Sequence, residues 1–486
     1  MTIFQESSGL KAGQPLIIYE LNEVPWRVID WYVRLRPNSA FAHLLGRAQT
    51  FTTVTKDEGE LHPWTTWPTF HRGVTNNQHN IRFINQSLAE AMSFPAIWET
   101  LSQAGKRVGV FGSLQSYPPP AKDAYEFYVP DTFSPGCETS PAKYAAFQRF
   151  NLRQTQQDGA QASALQFDTS IASDVLKMLR AGLRLETCWK LALHIAKERF
   201  NPLHRSRRSV LQGLVSFDIF QNALNETKPE FCTFFTNHVA GMMHRYWKHS
   251  FPEDFSTALT TDDDRFHSGS IAFAMDIADA QLASLMEYVD KKKGRLMIAS
   301  SMGQEAIDRG AYFGEWRVTD IQQFLKAIEW QAPARDLLSM QPDFNFSFDS
   351  NEDAEKFLQS TARLTDSAGK SVWKRAQRMG ATVNLGLAPS QQALAAGEAF
   401  LTNSDGLLVS MSIAELGIQL LKRDPGTGYH QPRGTLLLYG NGVKHDDSRV
   451  EVDSTTVRPA ILKMLGVECE TTRSDNPSSE RATSLT

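Results

Sequence analysis

The stretch Asp57–Val74, DEGELHPWTTWPTFHRGV, decides how the rest of the chain is read. Two threonines, Thr65 and Thr66, precede a Trp67-Pro68 step, with Glu58, Glu60, His62 and His71 on both sides and Gly73 closing the run. Thr is a good helix N-cap and Pro is tolerated in the first helical turn, so the local chemistry predicts a helix beginning near Thr66. A hydroxyl there faces unpaired backbone N–H groups and the positive end of the helix dipole, a place suited to phosphate or sulfate. An ordinary capping threonine in a Trp-rich turn is written with the same letters, so the neighbouring segments decide.

Before this stretch, PLIIY (Pro15 to Tyr19) reads as a buried strand ending at Glu20, and Asn22 can cap a helix whose Trp26, Ile29 and Val33 recur at helical spacing. After it come an amphipathic helix around Ala96 to Ala104, the strand RVGVF (Arg107 to Phe111), and a turn-rich aromatic segment from Phe127 to Pro141 that reads as a surface loop. From Ala142 to about Glu226 the pattern is helical. The strand-helix rhythm resumes with EFCTFFT (Glu230 to Thr236), a helix from about Ser268 to Asp290, and RLMIA (Arg295 to Ala299) running into SSMGQE. From Tyr312 to about Glu398 the character changes again, with an alternating FNFSFD before a helical segment. A helix Ser412 to Leu421, the loop GTGYHQPRG, a strand Thr435 to Tyr439 and a helix Val457 to Val467 complete the chain.

Strands that alternate with helices imply a doubly wound, mainly parallel α/β sheet. The expected organisation is an α/β core in three pieces (1–141, 229–311 and 406–467), a helical insertion (142–228), a small α+β cap insertion (312–405), and a disordered tail (468–486). In open sheets of this kind ligands sit beyond the carboxyl ends of the strands, which is where the conspicuous polar residues fall.

Composition narrows the function classes. The 486 residues carry a net charge of -4, against a broad nucleic-acid grip, and the basic runs at Arg205–Arg208 and Lys291–Lys293 read as solvated helix ends or loops. The N-terminus lacks a secretion signal, no segment has the length and apolarity of a membrane span, and heptads are absent. Four widely spaced cysteines (Cys137, Cys188, Cys232, Cys469) read as free thiols of a reducing cytoplasm, so the expected location is cytoplasmic.

The order of these segments resembles the alkaline phosphatase superfamily, in particular its type I phosphodiesterase and nucleotide-pyrophosphatase-like branch. The matching positions are Glu20 at the end of the first strand, Thr66 in Thr-Trp-Pro, His238 with His244 after a middle strand, Ser301-Met302-Gly303 after a later one, and His430 before a Gly-containing strand. The resemblance implies an alkaline-phosphatase-like fold and a hydrolase or transferase acting on a small-molecule phosphate or sulfate ester. It implies a Thr nucleophile, Thr66 or Thr65, and a divalent metal, zinc first and manganese or iron as alternatives. The metal ligands by this resemblance are Glu20, His238, His244 and His430. This chain departs from the family where Ser301 and Met302 stand in place of an Asp-His pair, and a thioether is a poor ligand for such an ion. Around the nucleophile, His62 and Glu60 are near enough in sequence to supply a base, and Glu60 and Arg72 are the expected substrate contacts, Arg72 pairing with an anion. Two other readings use the same cleft: a non-catalytic or weakly catalytic relative binding an anionic sugar or nucleotide, and a transferase in surface-polysaccharide assembly.

Overall fold

The computed structural model describes residues 4, 10–11, 13–84, 86–120, 124–159, 169–256, 258–308, 315–337, 343–366, 368–387, 398–403, 406–421 and 426–468. The expected disordered tail and Cys469 lie outside them, apart from Glu468.

Eight strands form the central sheet: β1 (Leu16–Leu21), β2 (Gln49–Val54), β3 (Val108–Phe111), β4 (Phe127–Val129), β5 (Phe231–Thr236), β6 (Arg295–Ala299), and, near the C-terminus, Arg433–Gly440 and Asp446–Asp453. The last two are numbered β18 and β19, because eleven smaller strands precede them. Their spatial order is β19-β2-β18-β6-β1-β5-β3-β4. β1 lies parallel to both β5 and β6, so Glu20 stands level with Phe235 and Ala299. Only β18 runs against its neighbours in this sheet.

Strand alternation divides the apolar side chains between the two faces. On one face Ile17, Tyr19, Phe234 and Ile298 pack with helices α1 (Trp26–Leu35) and α2 (Ala40–Leu45) and with the helices Gln212–Thr227, His238–Ser250 and Ser270–Lys292. On the other, Leu16, Ile18, Val110 and Met297 meet α3 (Pro63–Arg72), α5 (Ile97–Gln103) and the C-terminal helix, and the short α4 (Asn76–His79) leads out of α3. The sheet is therefore doubly wound.

The helical insertion holds α6 (Ala145–Gly159), α7 (Thr169–Arg180), α8 (Leu185–Phe200) and α9 (Gln212–Thr227), of which α9 lies on the sheet. α10 (His238–Ser250), α11 (Asp262–Ser268) and α12 (Ser270–Lys292) follow β5. After β6, β7 (Gly303–Ala306) pairs antiparallel with the distant β17 (Gly428–Gln431) in a two-stranded ribbon, placing His430 level with Gln304.

Between them the cap insertion builds its own core from Phe324, Phe346, Phe357, Trp373, Val383 and Leu385. It contains β8 (Glu315–Val318), α13 (Ile321–Ala327), β9 (Arg335–Leu337), β10 (Asp343–Ser347), α14 (Asn351–Ala362), β11 (Leu364–Thr365), β12 (Trp373–Met379), β13 (Thr382–Leu387), β14 (Glu398–Thr402), β15 (Leu408–Ser412) and β16 (Ile418–Leu421). The last core helix, α15, is Val457–Met464.

Three local expectations change, and one core strand is added. The segment Ser412 to Leu421 is not a helix: β15 pairs with β14 and β16 with β8, so these residues belong with the cap's sheets. The Phe127–Pro141 segment begins as buried strand β4. QTFTTV forms β2, whose buried threonines disguise a core strand as a polar segment. Finally, the helix of the opening stretch starts four residues early. His62 is the N-cap, Pro63 occupies the first helical position where its missing N–H costs nothing, and Pro68 lies inside the helix. The Trp64 carbonyl, which Pro68 cannot serve, accepts instead from the Gln115 side-chain amide at 3.4 Å.

Candidate metal centre

The polypeptide leaves β1 through a turn in which Glu23 adopts φ +62°, a left-handed conformation that side chains other than glycine rarely hold. Strain of this kind needs the surroundings to impose it, and it clusters at functional sites. Here it turns the Glu23 carboxylate, 2% exposed, toward two imidazoles. His244 Nε2 lies 3.0 Å and His430 Nε2 3.4 Å from Glu23 Oε2, and the ligand atoms of the three residues all fall within 4.8 Å of one another.

The outer contacts fix which nitrogen faces inward. His244 Nδ1 is 2.9 Å from the Gly428 carbonyl and His430 Nδ1 is 2.6 Å from the Leu61 carbonyl, so each ring donates there and presents a lone pair at Nε2 when neutral. Asn22 Nδ2 donates to Glu23 Oε1 at 2.8 Å, and Gln304 Nε2 donates to Oε2. Burial by itself would raise the Glu23 pKa, but the facing His430 and His244 hold the carboxyl well below its usual range. With both rings neutral, three such atoms converging on one point could hold a cation between them. Two neutral imidazoles and one carboxylate are a fitting set for a zinc-like ion with a remaining position for substrate or water. His244 is the member that reaches solvent, its side chain being 32% exposed.

The four expected metal ligands therefore divide. His244 and His430 come together, joined by Glu23. Glu20 is elsewhere: strand alternation turns it to the face of Leu16 and Ile18, where it is fully buried, 2.7 Å from His71 Nε2. Its other oxygen accepts from Ser113 Oγ at 2.8 Å, and that hydroxyl is also 2.7 Å from Thr233 Oγ1. His238, buried at the start of α10, has both nitrogens occupied: Nε2 donates to the Ala274 carbonyl at 3.2 Å and Nδ1 accepts from Thr236 Oγ1 at 2.5 Å. Burial pushes its pKa down to about 4, keeping it neutral.

The other expected residues are placed as follows. Thr66 is fully buried, its hydroxyl 2.7 Å from Ser301 Oγ, while its N–H bonds the His62 carbonyl. Thr65 is buried too, with its hydroxyl 3.4 Å from the Arg82 carbonyl. His62 stacks on Trp64 with ring centroids 4.3 Å apart and stands 5.7 Å from the His430 ring. Its pKa is driven down to about 3 by burial and then by His430 and Arg375, which makes it a weak base. Glu60 accepts from Lys374 Nζ at 2.8 Å and Arg375 at 3.0 Å, both on cap strand β12, and from the Tyr429 hydroxyl. Burial would raise its pKa, and Lys374, Tyr429 and His62 bring it down to about 2. Arg72 does not meet the site. Its guanidinium is buried and donates to the Ala91 and Phe94 carbonyls.

Sequence reasoning passed over Glu23 and the cap cations Lys374 and Arg375. A local signal existed for the first alone, in the second acid of YELNEVP, three residues beyond Glu20.

No protein-family model matches the sequence, and no curated protein matches it. Among solved structures the chain is similar to murine ectonucleotide pyrophosphatase/phosphodiesterase 5, at 11% identity and TM-score 0.38 over 93% of this chain and 95% of that one. It is similar to the wild-type alkaline phosphatase PafA, at 11% identity and TM-score 0.46 over 95% and 97%, and to the Thermus thermophilus alkaline phosphatase, at 13% and 0.42 over 96% and 93%. All three are alkaline phosphatase superfamily proteins. At these identities and scores the likeness is one of outline and carries nothing about chemistry.

Proposed function

We propose that the chain is a metal-dependent hydrolase of phosphate or sulfate esters, or a transferase of the same groups, built around a single divalent ion held by Glu23, His244 and His430. The observation that supports this is the convergence of one carboxylate oxygen and two Nε2 atoms within 4.8 Å, each ring oriented by a backbone carbonyl. Zinc suits that donor set best, with manganese and iron as alternatives. Such an ion supplies Lewis acidity toward an ester oxygen.

The chain's own groups have separable tasks. Gln304 and Asn22 hold the Glu23 carboxylate in one orientation. Lys374 and Arg375 bring positive charge from the cap to the loop that carries Glu60 and His62, where an anionic ester is attracted. Thr66 is the proposed nucleophile, its hydroxyl oriented by the hydrogen bond to Ser301 Oγ. Thr65, whose hydroxyl points to a backbone carbonyl, has a positioning role.

A second reading has its own support. The Thr66 hydroxyl is fully buried and already bonded, and Glu20 is committed to His71. These contacts favour a protein that binds an anionic sugar or nucleotide at the ion without turning it over.

Turnover separates the two. Metal-loaded protein should hydrolyse an aryl phosphomonoester, phosphodiester or sulfate; His430→Ala and Thr66→Ala should abolish this, and Thr65→Ala should weaken it. Metal binding without turnover of any of the three esters would favour the binding reading, and equal activity in both Thr variants would remove Thr66 as nucleophile.

A further inference from the structure

Helix α8 is built inside out. At 100° a residue, Leu185, Trp189, Ala192, Leu193, Ala196 and Phe200 fall on one stripe about 100° wide. All six are exposed, Phe200 at 89%, Leu185 at 76% and Trp189 at 65%. The opposite side, with Thr187, His194 and Glu198, is buried. Glu198 takes the Arg208 guanidinium, with Nε at 3.0 Å, and His194 Nε2 donates to the His204 carbonyl at 2.9 Å. An ordinary surface helix does the reverse, turning apolar residues to the core and charges to water. A continuous exposed apolar stripe marks a surface that something covers.

The flanking charges identify the occupant. On the helical wheel Arg184 and Arg199 lie to one side of the stripe and Lys190 and Lys197 to the other, all exposed. The exposed acid among them, Glu186, is paired with Lys190 at 2.7 Å. This cationic rim sits on a chain whose net charge is -4. We infer that α8 lies flat on an anionic lipid surface, Leu185, Trp189, Leu193 and Phe200 entering the boundary between headgroups and acyl chains while the lysines and arginines meet lipid phosphates. A second copy related by a two-fold axis would bring like cations against each other. Among the described residues no helix is long and apolar enough to cross a membrane, so the contact is with the surface.

Cosedimentation of the full chain with vesicles tests this, comparing phosphatidylcholine alone with phosphatidylcholine mixed with phosphatidylglycerol. The protein should pellet with the mixed vesicles and remain in solution with the neutral ones, and high salt should weaken the association. The double variant Trp189→Ser, Phe200→Ser should lower partitioning at least about tenfold, since each lost side chain removes apolar burial. Lys190→Glu with Lys197→Glu should abolish the preference for anionic lipid. Both doubles should melt like the wild type, because these side chains face water. Failure of the wild type to bind mixed vesicles overturns the inference, as does undiminished binding by the serine variant. So does a wild-type dimer in sedimentation velocity that the serine variant turns into monomer.

Discussion

Glu20 and Glu23 are three residues apart and end in opposite circumstances. Glu20 closes a sealed network with His71, Ser113 and Thr233 under α3. Glu23, past the end of the strand, faces His244 and His430 at a mouth that reaches solvent. The histidines repeat the contrast: His238 has both nitrogens spent on protein partners, whereas His244 and His430 each spend one and keep Nε2 for the cavity. A carboxylate or imidazole beyond a strand is thus not a ligand by position alone. For the imidazoles, what separates the two groups is whether the protein has already used both ring nitrogens; for the carboxylates, it is whether the group faces one sealed network or two converging imidazoles.

The sealed group should matter most for stability. Glu20→Ala leaves His71 buried without its carboxylate and should cost about 3–5 kcal/mol in chemical denaturation, with any metal bound by the folded fraction unchanged. The next effect is a pH dependence. His238 is pushed from 6.5 down to about 4, so between those values the unfolded chain takes up a proton that the folded chain refuses. Stability from this group is complete above pH 6.5 and is lost as the pH falls toward about 4. His238→Gln should flatten that part of the profile of melting temperature against pH.

In the open group the leverage is on metal affinity. Gln304→Ala removes a donor to Glu23 and should weaken metal binding roughly 10-fold with little change in melting temperature. Ser301→Ala leaves the buried Thr66 hydroxyl without its partner and should cost roughly 1 kcal/mol, read by denaturation, while metal affinity stays at the wild-type value.

The same contrast explains what was legible beforehand. PLIIY, EFCTFFT and RLMIA announced β1, β5 and β6 because buried parallel strands are nearly continuous apolar runs. β2 was hidden because its threonines are polar by composition and buried in fact. His430 and His244 were readable from their order along the chain. For Glu23 the sequence offers only the second acid of YELNEVP, because the turn that delivers it depends on a left-handed backbone at a glutamate, which no hydrophobic period records. The helix of the opening stretch was misplaced because His62 caps it without a side-chain bond, and the Thr and Pro signals pointed four residues too far along. Lys374 and Arg375 reach Glu60 from more than three hundred residues away in sequence, through the packing of the cap, which local patterns do not encode.

Metal content of the purified, metal-equilibrated protein, measured by plasma mass spectrometry, tests the single-ion centre most directly. One equivalent of zinc, manganese or iron in the wild type, lost in Glu23→Gln and retained in His238→Gln, is the predicted result. Absence of stoichiometric metal from the wild type, or an unchanged content in Glu23→Gln, would contradict it.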